Sequence, residues 1–449
     1  MTVPANAPRS TVAPDTTDTT AATVAVIGAG YVGLTTAVCL AHLGHRVVAA
    51  DIDARRVEML SNAVPTILEE GLPELLGEGV SSGRLSFTTD PAEAARDVDF
   101  VFLCVPTPQG ADGAADLSYV EDAARAVAPR LKPGAVVVTK STVPVGSVGV
   151  VVSALDRPDT AVVSNPEFLR EGRAVHDWLN PDRVVIGSQD RSAAERLAQL
   201  YEPLGAPIVI TDPASSETIK YACNAFLAAK VSFVNAIANL CGAVGADAVD
   251  VIRGMSYDRR IGADHLAPGP GWGGSCFPKD TSALIKIAED HGYDFGLLKE
   301  AIAANDEQFE RVATQVADAA GGDLTGVTVA AWGLTFKAGT DDLRESPALS
   351  VLRRVAAKGA SIRAFDPTLP DKHHSSLTSL PLLVTDDPYG ACEGARVLVV
   401  LTEWPEFADV DLRKVAAVMT TPAIVDTRNV IEPIAARAAG CSYTGMGRS

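Results

Sequence analysis

The hydrophobic and polar positions near the start of the chain change their period twice. A short β-branched apolar run at Thr23–Ile27 leads into the sequence GAGYVG, and residues 34–43 then carry apolar positions at helical spacing. Gly44 closes that stretch, and a second apolar run, Arg46–Ala50, ends in Asp51. This order of strand, helix and strand predicts two parallel strands joined by a right-handed crossover.

The same alternation continues to about residue 210 and returns in the last third of the chain. Continuous apolar runs of strand length, separated by helical patterns such as residues 117–131, predict an open α/β sheet in the first part. These runs lie at residues 100–105, 135–140, 161–164 and 183–186. Later runs predict a second sheet, and a predicted helix at residues 347–358 lies between its first two strands. This part of the chain has no GxGxxG sequence. They lie at residues 327–332, 361–365, 396–401 and 423–425.

The middle of the chain is predicted to be helical, because residues 215–252 keep helical spacing and show no strand pattern. A Gly/Pro loop at residues 267–274 interrupts the helices, which resume over residues 278–319, and such loops often wrap a ligand. We therefore expect an α/β protein with two Rossmann-like parallel-sheet domains joined by a long central helix and a helical segment. The expected divisions are a disordered tail at 1–21, a first sheet domain at 22–212, a helical domain at 213–320 and a second sheet domain at 321–449.

Composition excludes several classes of partner. The 449 residues are 47% hydrophobic and 21% charged, as in a soluble globular protein, and the formal net charge is −18. Nucleic acid and anionic membrane surfaces attract positive fields, so we expect neither as a partner. The sequence has no uninterrupted run of 18 apolar residues and no signal-peptide core near its start, which predicts no membrane span.

The cysteines favour a reduced, cytoplasmic setting. Their number is odd, no CxxC pair occurs, and their spacing matches no metal site. They are Cys39, Cys104, Cys223, Cys241, Cys276, Cys392 and Cys441.

The glycine-rich turn is the first sign of chemistry. GAGYVG lies between a predicted strand and a predicted helix, as in dinucleotide-binding folds, and Asp51 ends the second strand where a carboxylate would bind the ribose hydroxyls. A carboxylate there repels a 2′-phosphate, so NAD is preferred over NADP. The alternative is a glycine turn without a ligand.

A cysteine in the Gly/Pro loop is the second sign. Pro278 fits the first turn of a helix, which would place Cys276 at a helix N-terminus where the dipole favours a thiolate. Lys220 and Asn224 share one helix face, as Cys276 and Asp280 would. A nucleophilic thiol beside a nicotinamide fold points to oxidation of an aldehyde to an acid through a thiohemiacetal and a thioester. The alternatives are a buried hydrophobic cysteine and a solvated surface lysine.

Together these segments resemble the UDP-glucose/GDP-mannose dehydrogenase family from about residue 23 to 440. The matching segments are GAGYVG (28–33), CVPTP (104–108), KSTVPVG (140–146), SNPEFLREG (164–172), the helix with Lys220 and Asn224, GPGWGGSCFPKD (269–280) and GLTFKAGTDDLRESPAL (333–349). The resemblance implies a four-electron oxidation of the C6 alcohol of a nucleotide sugar to a carboxylate by two NAD. It also implies a homodimer or higher homo-oligomer whose central helix forms the interface.

The resemblance also implies roles for individual residues. Cys276 would be the nucleophile, Lys220 and Asn224 would stabilise oxyanions, Asp280 and Thr142 would hold or activate water, and Glu167 would assist acid/base steps. Residues implied at the cofactor are Gly28, Gly30, Tyr31, Val32, Gly33, Asp51, Arg56, Thr107, Thr142, Glu171 and Lys279. Residues implied at the nucleotide sugar are Glu167, Phe168, Leu169, Lys220, Asn224, Arg260, Gly273, Lys337 and Arg428.

Substrate choice within the family stays open at this point. The RRIG segment and GPGWGGSCFPKD resemble the bacterial UDP-glucose branch, whereas FKAGTDDLRESP also resembles the GDP-mannose branch, and we favour UDP-glucose. Where relatives often carry a cation before the glycine loop, this chain has His265-Leu266-Ala267, and Arg260 is the candidate to replace it, reaching the partner's cleft in a dimer. The alternatives are a nucleotide-sugar-binding protein without turnover and a hydroxyacid dehydrogenase of similar architecture.

Overall fold

A computed structural model describes residues 21–110, 114–369, 377–378 and 380–448. The expected tail at residues 1–21 lies outside these ranges except for its last residue. The first sheet has eight strands in the order β3-β2-β1-β4-β5-β6-β7-β8. They are β1 (Thr23–Ile27), β2 (Arg46–Ala50), β3 (Leu85–Thr88), β4 (Phe100–Leu103), β5 (Val136–Thr139), β6 (Ala161–Ser164), β7 (Val184–Gly187) and β8 (Ile208–Thr211).

Helices cover both faces of this sheet. Alternate residues of β1 enter different cores, since Val24 and Val26 pack on one face and Ala25 and Ile27 on the other. The helices of this part are α1 (Tyr31–His42), α2 (Ala54–Ser61), α3 (Leu72–Ser81), α4 (Pro91–Ala94), α5 (Ser118–Val127), α6 (Ser147–Leu155), α7 (Ala174–Leu179) and α8 (Arg191–Tyr201).

Four helices follow, and the first is the longest described. They are α9 (Pro213–Val244), α10 (Ala248–Ser256), α11 (Phe277–Asp290) and α12 (Gly296–Ala319). The side chain of Asp212 caps the start of α9 by accepting a hydrogen bond from N of Ser215 at 2.9 Å, and Gly245 at φ 74° ends it. By length and composition alone α9 could cross a membrane, a test that core helices also pass, and 33% of its most apolar window is buried inside the chain.

The second sheet repeats the strand order of the first six strands, as β11-β10-β9-β12-β13-β14. Its strands are β9 (Thr328–Trp332), β10 (Ser361–Phe365), β11 (Leu382–Val384), β12 (Val397–Val400), β13 (Ala423–Asp426) and β14 (Ser442–Gly445). Its helices are α13 (Pro347–Ala357), α14 (Pro388–Cys392), α15 (Leu412–Val418) and α16 (Pro433–Ala438). The predicted fold class, two Rossmann-like sheets joined by a long central helix, is confirmed.

The parallel arrangement has one interruption. β6 meets β7 in an antiparallel pairing at Ser164 and Gly187, whereas every other pairing of named strands is parallel. The last two strands of the first sheet therefore run against the other six. Because β6 ends where the sheet changes direction, the segment that follows it leaves the sheet toward α9.

Candidate active site

The glycine-rich turn connects β1 to α1. Two of its glycines allow close packing, and the third leaves space for a ligand. A Cβ on Gly28, at φ +94°, would lie 2.7 Å from the carbonyl oxygen of Cys104, and one on Gly33 would lie 1.8 Å from that of Gly28. Close packing of strand and helix explains these two positions. A Cβ on Gly30 would meet nothing within 4 Å, so this glycine faces open space through which a ligand can approach the backbone.

Asp51 follows the last residue of β2 and lies next to that turn. Its Oδ2 accepts hydrogen bonds from N of Ala29 and from Nη1 of Arg56, both at 2.9 Å, and its Oδ1 accepts one from N of Asp53 at 3.0 Å. The turn and the carboxylate lie together as a dinucleotide requires, so these residues fit NAD. Tyr31 and Val32 follow Gly30 in sequence and are the first two residues of α1.

Two threonines lie beside the first turn of α11. Oγ1 of Thr107 donates to the carbonyl oxygen of Thr142 at 2.8 Å, and both side chains line a small depression with Lys279 and Asp280. Residues predicted separately for cofactor and catalysis therefore share one surface.

A cavity of about 610 Å³ opens beside α9, within the size range of small-molecule sites. It combines the acidic segment after β6, one face of α9 and the start of α11. The predicted residues that line it are Glu167, Phe168, Leu169, Lys220, Asn224 and Cys276.

Cys276 is the N-cap residue of α11 and is half-buried, with Pro278 in the first turn as predicted. Burial raises the pKa of its thiol, and the nearby carboxylate of Glu167 raises it further, while Lys220 opposes the change. The thiolate expected from the helix dipole is therefore not the resting form. Removal of the thiol from water, together with the charge of Glu167, outweighs the effect of one helix terminus.

Lys220 and Glu167 form a buried ion pair on the wall of the cavity. Nζ of Lys220 lies 2.8 Å from Oε1 of Glu167, with the two side chains 4% and 6% exposed. Burial alone would lower the pKa of Lys220, but Glu167 raises it above its usual value. Burial likewise opposes ionisation of Glu167, yet Lys220 holds the pKa of this carboxyl below its usual value. Both groups are charged at neutral pH. The sequence alone left open whether Lys220 is a solvated surface lysine, and the structure shows that it is buried.

Asn224 and Asp280 meet one helical turn further along α9. Nδ2 of Asn224 donates to Oδ2 of Asp280 at 2.6 Å, and Nζ of Lys279 donates to Oδ1 at 2.5 Å. Asp280 is 1% exposed. The buried carboxylate thereby fixes the Asn224 amide against the start of α11. An amide that donates to an oxyanion must be held in a fixed orientation, and Asp280 holds this one.

Lys140 begins the KSTVPVG segment and is a buried lysine of the cavity that was not predicted as a site residue. It is 5% exposed, lines the same cavity and donates through Nζ to Oδ1 of Asn165 at 3.1 Å. Burial lowers the pKa of Lys140 to about 8. Tyr201 also donates to Oδ1 of Asn165, at 2.7 Å. This network places a second buried amine near Glu167.

The glycine loop is wedged against the C-terminal sheet. A Cβ on Gly273 would lie 1.9 Å from the carbonyl oxygen of Glu345, and one on Gly269 would lie 2.8 Å from Nη1 of Arg428. Arg428 pairs with Glu403 at 3.1 Å. Lys337 is half-buried nearby, and burial lowers the pKa of its amine. Predicted sugar-nucleotide residues from two distant segments thus meet at the loop.

Glu171 links the segment after β6 to the C-terminal part. Its Oε1 accepts from Oγ of Ser275 at 2.8 Å and lies 3.4 Å from Nη2 of Arg344. Burial raises the pKa of Glu171 to about 7, and the neighbouring carboxylate of Asp342 adds to the rise. Neither Asp342 nor Arg344 was singled out from sequence.

Arg260 and Ala267 lie apart from this cluster, whereas His265 is part of it. Arg260 is 89% exposed and pairs with Asp258 at 2.6 Å, so it does not reach the cavity of its own chain. Ala267 is exposed, and His265 lines the cavity with a left-handed backbone at φ 57°. Burial lowers the pKa of His265. No cation stands at residues 265–267 to replace the one that relatives often carry.

Comparison with family models covers most of the chain. Residues 22–205 match the NAD binding domain of the UDP-glucose/GDP-mannose dehydrogenase family, residues 214–307 match its central domain, and residues 330–433 match its UDP binding domain.

Individual relatives agree with these models. The UDP-glucose 6-dehydrogenase of Rhizobium meliloti is 45% identical over 436 residues, which cover 95% of this chain and 99% of the relative. A UDP-glucose dehydrogenase structure from Pyrobaculum islandicum is 38% identical with a TM-score of 0.87, over 96% of this chain and 98% of that one. A GDP-mannose dehydrogenase structure from Pseudomonas aeruginosa is 31% identical with a TM-score of 0.52, over 91% and 97%.

Proposed function

The chain belongs to the UDP-glucose/GDP-mannose dehydrogenase family, and from this membership we propose that it oxidises the C6 alcohol of UDP-glucose to a carboxylate with NAD. The observation that carries the proposal is the position of Cys276. It begins α11 in a cavity that also holds the Lys220–Glu167 pair, beside a dinucleotide turn. A hydroxyacid dehydrogenase needs no such thiol, and neither does a binding protein without turnover.

The first oxidation uses the charged pair. The Glu167 carboxylate takes the hydroxyl proton of the substrate, and the Lys220 ammonium with the Asn224 amide stabilises the developing alkoxide. The glycine turn and Asp51 would hold NAD, which when bound would supply the hydride acceptor for both oxidations. Because Lys220 is held by Glu167 at 2.8 Å, this cation is already oriented before the alkoxide forms.

The second oxidation uses the cysteine. The sulfur of Cys276 adds to the aldehyde carbon and loses its proton in that step, which gives a thiohemiacetal whose oxyanion faces Lys220 and Asn224. Loss of the second hydride leaves a thioester on Cys276. Water held by Asp280 and Thr142 adds to the thioester carbon, and the thiolate leaves. Two hydrides and three protons are released in total, and one water is consumed.

The cofactor and the sugar nucleotide occupy different parts of the chain in this proposal. Residues 22–212 bind NAD, residues 213–320 supply the central helix, and residues 321–449 bind the UDP moiety through Lys337, Arg428 and the glycine loop. The domain names of the matching family models support this division. Greater similarity to the UDP-glucose dehydrogenase structure than to the GDP-mannose one supports glucose over mannose.

We also propose that the protein works as a homodimer in the cytoplasm. Apolar side chains of α9 spaced seven residues apart are exposed, namely Phe226 at 68%, Phe233 at 56% and Leu240 at 56%. An exposed apolar stripe of this kind suits burial against a second copy. All seven cysteines are free thiols, in keeping with a reducing compartment.

The deciding experiment measures the ratio of NADH formed to sugar nucleotide consumed. Two NADH per UDP-glucose and a uronate product are expected, and GDP-mannose and UDP-N-acetyl sugars should react far more slowly. Cys276→Ala should form no acid while it still binds NAD. One NADH per sugar, or steady uronate formation by Cys276→Ala near the parent rate, contradicts the proposal.

A further inference from the structure

Glu69 is a buried carboxylate in the loop between α2 and α3, with 4% of its surface exposed. Its oxygens accept hydrogen bonds from a distant segment, with Oε2 bonded to N of Gly172 at 2.8 Å and Oε1 to N of Ala174 at 2.6 Å. The hydroxyl of Tyr31 also donates to Oε2. One side chain therefore holds together three segments that are far apart in sequence.

These segments meet at a functional junction. Tyr31 is the first residue of α1, in the predicted cofactor turn, and Gly172 ends the segment that carries Glu167 and Glu171. Gly172 has φ +78°, and a Cβ there would lie 2.7 Å from the carbonyl oxygen of Gly339 in the C-terminal part. The backbone at Gly172 is thus fixed between the dinucleotide turn and the opposite lobe.

We propose that Glu69 is a positioning residue for the dehydrogenation, because it fixes residues 167–174 against the first turn of α1 and so sets the place of Glu167 and Glu171 relative to bound NAD. The inference rests on the proposed function and adds to it a residue that acts through the backbone of that segment. A shift of the acid/base groups by a fraction of the reacting distance lowers the rate strongly, since catalysis depends on near-attack geometry.

The charge of Glu69 gives this role a measurable signature. Burial raises the pKa of Glu69 to about 7, while the N–H groups of Gly172, Ala174 and Val175 and the ammonium of Lys337 oppose the rise. The Tyr31 hydroxyl also donates to this carboxylate. Above pH 7 the carboxylate accepts from both backbone N–H groups. Below pH 7 one oxygen carries a proton and accepts less well, so the anchor weakens as pH falls.

The kinetic test compares Glu69→Gln with Glu70→Gln, because Glu70 is the adjacent glutamate and is exposed. At about pH 8.5 we expect kcat of Glu69→Gln to be lower on the order of 10-fold, with KM for NAD changed little. The ratio of wild-type to Glu69→Gln kcat should fall toward one below pH 7, where both side chains are neutral. Taking the ratio removes the titration of Glu171 and other groups common to both proteins. Glu70→Gln should match the wild type throughout.

A second measurement needs no substrate. Arg170 precedes the anchored backbone and Arg173 lies between its two anchored N–H groups. Limited digestion of the full chain by trypsin, followed by mass spectrometry, therefore reports how often this segment opens. Cleavage after these arginines at pH 8 should be on the order of 10-fold faster in Glu69→Gln and unchanged in Glu70→Gln. If Glu69→Gln does not fold, Glu69→Asp replaces it, because aspartate keeps the charge but has a shorter side chain. We expect Glu69→Asp to show both the lower kcat and the faster tryptic cleavage.

The outcomes separate the two proposals. A wild-type protein that fails to oxidise UDP-glucose overturns the proposed function, while the trypsin assay still judges the anchor. Wild-type kcat and wild-type cleavage in the Glu69 variant overturn the positioning role. A lower kcat whose ratio to wild type stays constant from pH 6 to 9 also overturns it, because a merely structural defect has no reason to follow the ionisation of Glu69.

Discussion

At the scale of single residues, the charges around Cys276 set its reactivity. Glu167 and Lys220 neutralise each other in the resting site, so the thiol sees no strong net cation, and burial raises its pKa. A protonated thiol protects the enzyme from oxidation and alkylation while the cavity is open. In the proposed mechanism, the thiol is therefore activated only in the bound state, when an aldehyde carbon lies beside the sulfur.

The raised pKa of Cys276 predicts the pH dependence of its alkylation. Since the pKa of Cys276 lies above its ordinary value of 9.0, reaction with iodoacetamide should be slower in the folded protein at pH 8 than in the urea-unfolded chain, and should accelerate as pH rises past 9. Mass spectrometry of the peptide with Cys276 measures both rates. Lys220→Met removes the cation that lowers the pKa, so it should slow the folded protein further. Faster alkylation in the folded state would contradict a raised pKa.

Lys220 should affect turnover more than substrate binding. In the proposed mechanism its ammonium stabilises charge that develops in the transition state, so Lys220→Met should lower kcat by about 10²–10³ and change KM for UDP-glucose little. Lys230 lies on the same helix and donates to the carbonyl oxygen of Ile261 at 3.0 Å, so Lys230→Met is the matched control. An effect confined to KM would assign Lys220 to substrate binding instead.

Asp51 should decide the choice of dinucleotide. Asp51→Ser removes the carboxylate that would bind the ribose and leaves Arg56 without its partner at 2.9 Å, where a 2′-phosphate could take its place. We expect weaker binding of NAD and a smaller preference for NAD over NADP. Steady-state kcat/KM with both cofactors measures the preference. Equal use of both by the parent protein would show that Asp51 does not bind the ribose.

At the scale of elements, different glycines of the GAGYVG turn serve packing and cofactor binding. Gly33→Ala places a Cβ 1.8 Å from a backbone oxygen, whereas Gly30→Ala places one in open space. We therefore expect Gly33→Ala to lower the thermal midpoint strongly and Gly30→Ala to leave it nearly unchanged while weakening NAD binding. Thermal unfolding and titration with NAD test the pair. Similar midpoints for both variants would argue against the packing role of Gly33.

The strands show what a sequence can reveal about a sheet. Every strand predicted from an apolar run is present, and the bounds of Thr23–Ile27 and Ala161–Ser164 are unchanged. The four strands that the patterns missed are the sheet edges, namely β3, β8, β11 and β14. Central strands are buried on both faces and read as continuous apolar runs, whereas an edge such as Ile208–Thr211 is mostly half-buried. The reversed direction of β7 also left no local mark.

The same limit applies to the site. Cys276, Lys220 and Asp280 stand in motifs, so their chemistry was visible before their contacts were. Glu69 stands in an ordinary loop beside another glutamate, and its importance comes only from Gly172, 103 residues away. Groups whose role depends on a contact between distant segments cannot be found from local spacing.

At the scale of the whole molecule, we expect a second copy of the chain to add a cation to the sugar-nucleotide site. The net charge is −18, Ala267 supplies no cation, and Arg260 points into solvent at 89% exposure. A nucleotide sugar carries a diphosphate, and its product adds a carboxylate, so a further cation beside Lys337 and Arg428 would favour the binding of both. A second copy that packs along α9 would bring its own Arg260 near this cleft. The guanidinium can bind a carboxylate or phosphate through two parallel hydrogen bonds.

Mixing inactive subunits tests this arrangement. Arg260→Ala and Cys276→Ala homodimers should each be nearly inactive, but a mixed dimer regains one site, with the thiol from one subunit and the arginine from the other. Each mixed dimer should therefore show about half of the parental activity, by the symmetry of two equivalent sites. Native mass spectrometry confirms that subunits have exchanged. If exchange is complete and no activity returns, Arg260 serves its own chain or no site at all.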